Sequence, residues 1–599
     1  MNSHGPRKLF AVLITCLALF AGLAATAQAA VPPATASLLT GTPLSVLTGR
    51  SVAASEAAEP AAEPAGKTVK VATIEFAPEE GKVASNVARM VTLATEAGEN
   101  GAKMIVLPEM ATSGYSFFSR AEIATVAETV PGTSTEALGA VAKKFGAYIA
   151  FGMPEYEPKQ NLYFNAAVLM GPAGEVVGTY HKRNNLLEAS YNAEVYEPMP
   201  TFETPYGKVA LAICSDIFYP QFARAAAVSG ATILLAPANT YLETNLARVR
   251  TYENDFSMVV ANRYGVGTAG SKPESFTQET FTIPSPFAYE WEFGDQSLIM
   301  NEKGELLASL TEPKDAIGYG ELPVRSSRTF PVERKPSMYS LIAQDTLQEY
   351  TQTQLGLPAP AKFAAAALDP GPSATPWAAT LSAVEKAKSD AAAEGETLRL
   401  AVLPADYFAS EEPVGFAALK SYSEANNVDI EIGYEKTATE APKSVLIGSN
   451  GKTYTYVRTH RAKGEGIKKS ELSNDYLVVD RDYGRVALMQ GTDMIPPETG
   501  LVLAQMGVDV VAVDADSSNP VLPALWEDRS ADYLNVVVAN KAAAEGIYLG
   551  GYQDFPPFTE GEGEVIREIN TAHDRKKPYA RFFDYKQILK PCSKAAENC

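Results

Sequence analysis

Residues 206–217 read YGKVALAICSDI, and residues 483–494 read YGRVALMQGTDM. The letters Y, G, V, A, L and D recur at matching positions, whereas Cys214 of the first stretch is replaced by Gly491 in the second. A short apolar run between a glycine and a polar turn sequence is typical of a buried strand. The pair therefore predicts equivalent strands in two copies of one fold, of which only the first carries a nucleophilic side chain.

The rest of the chain follows the same duplicated order. Apolar strand-like runs alternate with helical stretches in both halves, which is typical of an α/β layered domain. Further matching segments are 70–78 with 362–370, 167–183 with 444–461, 230–240 with 507–517, and 259–263 with 537–541. Because this repeat is far longer than that of any solenoid, the 599 residues are predicted to form two large domains.

The N-terminus has the pattern of a targeting segment. Residues 1–29 combine a short basic start, a long apolar run and the small-residue sequence AQA, as expected for a secretory signal peptide; an uncleaved membrane anchor is the alternative. Residues 30–66 are rich in alanine, proline, serine, threonine and glutamate, which predicts a disordered linker. The full division is a signal peptide at 1–29, a linker at 30–66, a catalytic domain at 67–345, a linker at 346–361, a second domain at 362–585 and a tail at 586–599.

Charge and cysteine content restrict the partners and the compartment. The formal net charge of −20 argues against a nucleic-acid partner, because phosphate backbones select basic surfaces. No later segment is apolar over the ~20 residues that a membrane-spanning helix needs. We therefore expect a secreted or periplasmic protein, in which Cys592 and Cys599 could form a disulfide and Cys214 stays unpaired.

Three residues with catalytic chemistry directly follow strand-like runs of the first half. Glu109 follows KMIVLP, Lys182 follows VVGTYH, and Cys214 follows VALAI. Side chains at strand ends can meet in a cleft at one edge of a sheet. A cysteine needs a base to form its thiolate, a buried glutamate can be that base, and a lysine can stabilise an oxyanion. With only four histidines in the sequence, a clustered zinc site is nearly excluded, and His181 is the main candidate for a Cys–His pair.

Together these blocks resemble the nitrilase, or carbon–nitrogen hydrolase, superfamily over about residues 68–325. The blocks are LPEMATSGY at 107–115, YHKRNNL at 180–186 and ICSDIFYP at 213–220. The resemblance implies a four-layer α-β-β-α sandwich, with Glu109 as general base, Lys182 as oxyanion stabiliser and Cys214 as nucleophile.

The resemblance also implies supporting residues. The N–H of Ser215 is expected to help bind the oxyanion. Many members have a second glutamate after the lysine, and NNLLEASYN is similar to the corresponding block of biotinidase and pantetheinase, so Glu188 is the candidate and Glu194 the alternative. Tyr115 and Phe218 adjoin the motifs and are expected either to line a substrate pocket or to pack in the core.

The second half lacks these groups. Ala405 corresponds to Glu109, Gly491 to Cys214, and Lys182 faces Thr459 without gaps or Arg461 with one inserted residue. This half is therefore predicted to be a degenerate copy. Single nitrilase domains commonly pair through apolar faces, so the second copy is expected to replace a partner subunit, which favours a monomer.

The predicted activity is hydrolysis of a small-molecule amide through a cysteine thioester. Hydrolysis of a nitrile or an N-carbamoyl compound, and acyl transfer, are alternatives within the same superfamily. A catalytically inactive binding protein is the alternative of a different class. No nucleotide or other cofactor motif occurs, so neither a cofactor nor a metal is expected.

Overall fold

A computed structural model gives the fold of both halves. It describes residues 66–117, 119–185, 187–239, 244–268, 275–278, 281–284, 290–292, 296–344, 356–408, 413–434, 441–550, 558–572, 583–590 and 596–597. The predicted signal peptide, most of the two predicted linkers, and Cys592 and Cys599 lie outside these residues. No helix within the described ranges is long and apolar enough to span a membrane.

Two six-stranded sheets form the first half. Sheet I contains, in spatial order, β16 (Ala316–Pro323), β1 (Thr68–Glu75), β2 (Met104–Val106), β3 (Tyr148–Glu157), β4 (Leu162–Met170) and β5 (Val176–His181). Sheet II contains β15 (Leu306–Leu310), β14 (Ser297–Met300), β9 (Ser257–Ala261), β8 (Ile233–Pro237), β7 (Gly207–Leu211) and β6 (Thr201–Thr204). Strands β1–β2–β3 and β7–β8–β9 are parallel, so their carboxyl ends lie at one edge of each sheet.

The second half repeats this order. Sheet III contains β22 (Thr453–Val457), β21 (Lys443–Ile447), β20 (Asp429–Tyr434), β19 (Leu398–Val402), β18 (Lys362–Leu368) and β29 (Glu564–Asn570). Sheet IV contains β23 (Leu477–Arg481), β24 (Gly484–Gln490), β25 (Val510–Ala515), β26 (Asn535–Asn540), β27 (Glu545–Tyr548) and β28 (Phe558–Gly561). Three small pairs complete the strands: β10 (Val266–Thr268) with β13 (Glu290–Glu292), β11 (Ser275–Gln278) with β12 (Phe281–Pro284), and β17 (Arg328–Thr329) with β30 (Ala596–Glu597).

Helices form the outer layers of each sandwich. They are α1 (Val83–Glu99), α2 (Arg120–Ile123), α3 (Thr133–Phe145), α4 (Pro220–Val228), α5 (Thr244–Asn254), α6 (Pro376–Ala393), α7 (Pro413–Asn426), α8 (Pro497–Gln505), α9 (Leu522–Ser530) and α10 (Lys586–Leu589). Short 3-10 helices span Leu187–Ser190, Cys214–Phe218, Pro336–Ala343, Lys469–Glu471 and Gly491–Met494. Apolar residues of α1 and α3, such as Met90 and Leu138, pack with Ile105 of sheet I. Between the sheets, the Thr73 hydroxyl donates to the Val260 carbonyl at 2.6 Å. The predicted duplicated α/β sandwich is confirmed.

The two halves meet through equivalent helices. Helix α5 packs against α9, and α4 packs against α8. Since α8 and α9 are the counterparts of α4 and α5, each element meets its own copy, as across the two-fold axis of a symmetric dimer. Leu501 and Val502 of α8 join the apolar core of the first half.

Candidate active site

Glu109 lies just beyond the carboxyl end of β2, on a turn that depends on a glycine in the neighbouring strand. The Leu107 N–H donates to the Ala150 carbonyl at 2.9 Å, and the Gly152 N–H donates to the Pro108 carbonyl at 3.0 Å. A Cβ at residue 152 would lie 2.5 Å from the Glu109 Cα, so only glycine allows this approach. The Glu109 side chain is thereby held in the interior with no exposed surface.

Cys214 begins a five-residue 3-10 helix between β7 and α4. Its φ of 51° lies in the left-handed region, which non-glycine residues adopt mainly where the surroundings enforce it. The carboxylate of Asp216 in the same turn accepts hydrogen bonds from the Tyr180 hydroxyl and the Asn184 N–H, both at 2.8 Å. Asp216 therefore ties the turn that carries Cys214 to the segment that carries Lys182.

Lys182 follows β5 and lies between two buried carboxylates. Its Nζ donates to Glu109 Oε1 at 2.8 Å and also to Glu188 Oε1. All three side chains are excluded from solvent. Because a lysine ammonium carries three protons, one remains for a group that enters the site.

Asn165 joins the same carboxylates from within β4. Its Nδ2 donates to Glu109 Oε1 at 2.6 Å and to Glu188 Oε1 at 3.2 Å. All of these donors thus reach Oε1 of Glu109, whereas the buried Oε2 receives none of them, and the Cys214 thiol hydrogen-bonds the same carboxyl group. Since buried polar atoms are nearly always paired, Oε2 is the oxygen left to exchange a proton with this thiol.

Burial and charge set the protonation of Glu109, Glu188 and Cys214. Burial raises the pKa of Glu109 to about 7, Lys182 opposes this rise, and Glu188 adds to it. Burial would also raise the pKa of Glu188, but Lys182 lowers it below its usual value. Burial and the nearby Glu109 raise the pKa of the Cys214 thiol well above its ordinary value. A neutral thiol therefore faces a carboxyl group that changes charge near neutral pH.

Of the two candidates for the second glutamate, only Glu188 lies in the site, where it contacts Tyr115. The Tyr115 hydroxyl donates to Glu188 Oε1 at 2.9 Å, and Lys182 Nζ lies 5.6 Å from the centre of its ring. Glu194 is exposed and accepts a hydrogen bond from the Tyr196 hydroxyl at 2.9 Å. Glu188 is thus the glutamate that contacts the lysine, and Tyr115 supports it.

Ser215 and Phe218 belong to the Cys214 turn. The Ser215 hydroxyl donates to the Asn184 carbonyl at 2.9 Å, which fixes the residue whose N–H is expected to bind the oxyanion. Phe218 is half-buried and packs against the core. The substrate-binding roles of Tyr115, Ser215 and Phe218 remain predictions. His181, the alternative base, bonds through Nε2 to Glu155 at 2.8 Å.

Two asparagines of the site were not predicted from the sequence. Asn165 holds both carboxylates, and its Oδ1 is buried without a partner in the described part of the chain. The backbone of Asn239 hydrogen-bonds Cys214, and both polar atoms of its buried side chain are unpartnered among the described residues. The available signal was a polar residue within the apolar run FNAAVLM and at the end of TILLAPAN.

A β-bulge in β5 shows that the predicted counterparts of Lys182 in the second half, Thr459 and Arg461, are wrong. Leu169 pairs with Gly178 but Met170 pairs with Val176, so Val177 is an extra residue of β5. The matching strands β21 and β22 pair without such a shift. Past the bulge the two halves are therefore offset by one residue relative to a gap-free alignment.

Arg458, rather than Thr459 or Arg461, consequently stands at the position of Lys182. The Tyr456 hydroxyl donates to Asp493 at 2.6 Å, as the Tyr180 hydroxyl donates to Asp216 in the first half. Both arginine and lysine stand two residues after their tyrosine.

Other polar groups fill the interior of the second copy near the position of the catalytic residues. Asp514 Oδ2 accepts hydrogen bonds from the Ser444 hydroxyl at 2.9 Å and from Gln490 Nε2 at 3.4 Å. A Cβ at Gly433 would lie 2.5 Å from this oxygen, so the glycine gives Asp514 its space. With Ala405 and Gly491 in place of Glu109 and Cys214, the second copy is degenerate.

A family model and several known proteins match part of this chain. A carbon–nitrogen hydrolase family model matches residues 70–331. A nitrilase from Pyrococcus abyssi is 30% identical over 261 residues, which cover 42% of this chain and 89% of the relative. An omega-amidase NIT2 from Danio rerio is 33% identical over 197 residues, which cover 30% of this chain and 69% of the relative. An amidase structure from Nesterenkonia sp. matches at 22% identity with a TM-score of 0.35, over 43% of this chain and 90% of that one.

The fold and these sequence matches define a hydrolase that acts on carbon–nitrogen bonds other than peptide bonds. The chain belongs to the nitrilase (carbon–nitrogen hydrolase) superfamily.

Proposed function

We propose that the protein is an exported amidohydrolase that cleaves a small carboxamide through a thioester on Cys214. The observation that carries the proposal is the buried Glu109, which Lys182 and Asn165 hold through Oε1 and whose carboxyl group hydrogen-bonds the Cys214 thiol. The names of the omega-amidase relatives support an amide substrate, whereas the relatives from Pyrococcus abyssi and Schizosaccharomyces pombe are named as nitrilases, so a nitrile stays the alternative.

Each group has a defined task in the proposed reaction. Glu109 accepts the thiol proton, and the Cys214 sulfur attacks the carbonyl carbon of the amide. The remaining proton of Lys182 Nζ and the Ser215 N–H stabilise the resulting oxyanion. Glu109 then protonates the amine as the C–N bond breaks. Water, deprotonated by Glu109, attacks the thioester, and the acid and the free thiol are regenerated.

Mass spectrometry of the intact protein tests this proposal. Mixed with a panel of small carboxamides, the wild-type protein should carry an acyl adduct on Cys214 and release ammonia or an amine. Cys214→Ala is the control and should show neither. Nitriles, N-carbamoyl compounds and added amine acceptors distinguish the related activities. A wild-type protein that forms no adduct and releases nothing across the panel would instead be a binding protein.

The export part of the proposal is supported by residues 1–29. Cleavage after Ala29 would leave Ala30 as the first residue of the mature protein. N-terminal sequencing of protein recovered outside the cytoplasm should begin there. An intact Met1 in that fraction would contradict cleavage, and protein found only in the cytoplasm would contradict export.

We also propose that the protein is a monomer, because α8 and α9 already cover the α4–α5 face of the first half. Light scattering should give the mass of one chain over a broad range of concentration. A stable dimer would contradict the replacement of a partner subunit by the second copy.

A further inference from the structure

The buried side chain of Arg250, on α5, closes the far end of the turn that begins at Cys214. Its Nε donates to the Ile217 carbonyl at 2.9 Å, and its Nη2 donates to the Phe218 carbonyl at 2.8 Å. Carbonyls at the end of a helix lack partners within it, and a cation there complements the helix dipole. Arg250 therefore fixes the end of a turn only five residues long.

Asp528 of the second half holds the same guanidinium. Its two carboxylate oxygens accept from the two Nη atoms of Arg250 at 2.8 and 2.9 Å, which is a bidentate pair. Glu253 accepts from Nη1 at 3.1 Å. Burial alone would lower the pKa of Arg250, but Asp528 and Glu253 raise it, so the guanidinium stays charged. The catalytic half thus depends on a carboxylate of the other half to complete this contact.

The second half has an equivalent arginine, which binds the corresponding turn of its own half and a carboxylate of the first half. Arg529, on α9, donates through Nε to the Met494 carbonyl at 3.1 Å and through Nη2 to the Ile495 carbonyl at 2.9 Å. These carbonyls end the turn that begins at Gly491, the counterpart of Cys214. Glu253 of the first half accepts from Arg529 at 2.5 Å. Asp528 also accepts from Arg529 Nη1, so the two arginines share this carboxylate. Only the turn held by Arg250 carries a cysteine.

We propose that Asp528 is a positioning residue for the active site of the first half: it holds Arg250, and Arg250 holds the Cys214 turn. The inference rests on the proposed role of Cys214 as nucleophile. It makes the degenerate copy a part of the catalytic machinery rather than a cover for an apolar face.

Backbone strain explains why the Cys214 turn needs this support. The φ of 51° at Cys214 persists only if the surroundings hold it, and the Ser215 N–H lies in the same turn. If Arg250 loses Asp528, its guanidinium can leave the two carbonyls, and the sulfur and the N–H shift relative to Glu109 and Lys182. A displacement of about 1 Å at a reacting group can cost about 10²-fold in rate.

The test compares Asp528→Ala with Arg529→Ala in the full-length protein. Each variant removes one side chain from the ion pairs that join the two halves, so similar losses of Tm are expected. Only Asp528→Ala should lower kcat, by about 10–100-fold with KM changed less than about threefold. The rate of Cys214 alkylation by iodoacetamide, followed on the Cys214 peptide by mass spectrometry, should fall in the same variant alone.

Three outcomes decide the proposal. Equal kcat and equal alkylation rates in the two variants would overturn it, because the interface would then act only through stability. If Asp528→Ala does not fold, Asp528→Asn, which keeps one acceptor oxygen, should give a smaller loss of kcat and of alkylation rate. If the wild-type protein hydrolyses no amide, the proposed function fails, while the alkylation comparison still decides the role of Asp528.

Discussion

Replacement of Glu109 by glutamine is expected to lower kcat by about 10²–10⁴-fold, the usual contribution of a general base. Glutamine has the same shape, and its carbonyl oxygen can still accept from Lys182 and Asn165, so the fold should survive. The second carboxylate oxygen becomes an amide nitrogen, which cannot accept the Cys214 proton. Steady-state kinetics with an accepted amide, together with the Tm of both proteins, measures the effect.

The dependence of kcat/KM on pH is a second test of Glu109 as the general base. Because the pKa of Glu109 is about 7, kcat/KM of the wild-type protein should fall as pH decreases below about 7. In Glu188→Gln the acidic limb should move to lower pH, since the negative charge of Glu188 raises the pKa of Glu109. Glu194→Gln is the matched control and should change neither kcat nor the profile. A Glu109→Gln protein with more than about a tenth of the wild-type kcat would exclude this carboxylate as the base.

Replacement of Lys182 by methionine is expected to abolish activity and to destabilise the fold by about 3–5 kcal/mol at pH 8, the usual result of breaking a buried ion pair. Methionine fills the same space, but Glu109 and Glu188 lose the charge that keeps them ionised in the interior. The folded-state pKa of Glu188 should then rise above that of the unfolded chain, and the pKa of Glu109, about 7 in the wild type, should rise further. The folded variant is therefore relatively stable below the unfolded pKa of about 4 and loses stability as pH rises through the new folded pKa values.

Thermal unfolding at pH 5 and pH 8 measures this effect. The drop in Tm relative to wild type should be larger at pH 8. Lys362→Met removes an exposed lysine that bonds Glu568 at 3.2 Å and should leave the Tm nearly unchanged at both pH values. An equal loss of Tm at pH 5 and pH 8 in Lys182→Met would mean that lost packing, and not charge, causes the destabilisation.

The positions of Glu109, Lys182 and Cys214 after strand-like runs predicted that these side chains lie close together. Glu109 follows a parallel strand of sheet I, Cys214 follows a parallel strand of sheet II, and the two sheets face each other. The counterpart of Lys182 could not be placed, because the bulge at Val177 depends on cross-strand hydrogen bonds and leaves no mark on an ungapped alignment. The contact of Arg250 with Asp528 was also inaccessible, since it joins residues 278 positions apart and depends on how two helices dock.

The docking of α5 on α9 within a single chain has a further physical consequence. In a dimer of separate subunits, the fraction that retains its partner falls as the protein is diluted. Here the two copies are covalently joined, so each meets the other at a fixed effective concentration. A protein that is proposed to work outside the cytoplasm, where secreted molecules are dilute, would keep the carboxylate of Asp528 beside Arg250 at any dilution.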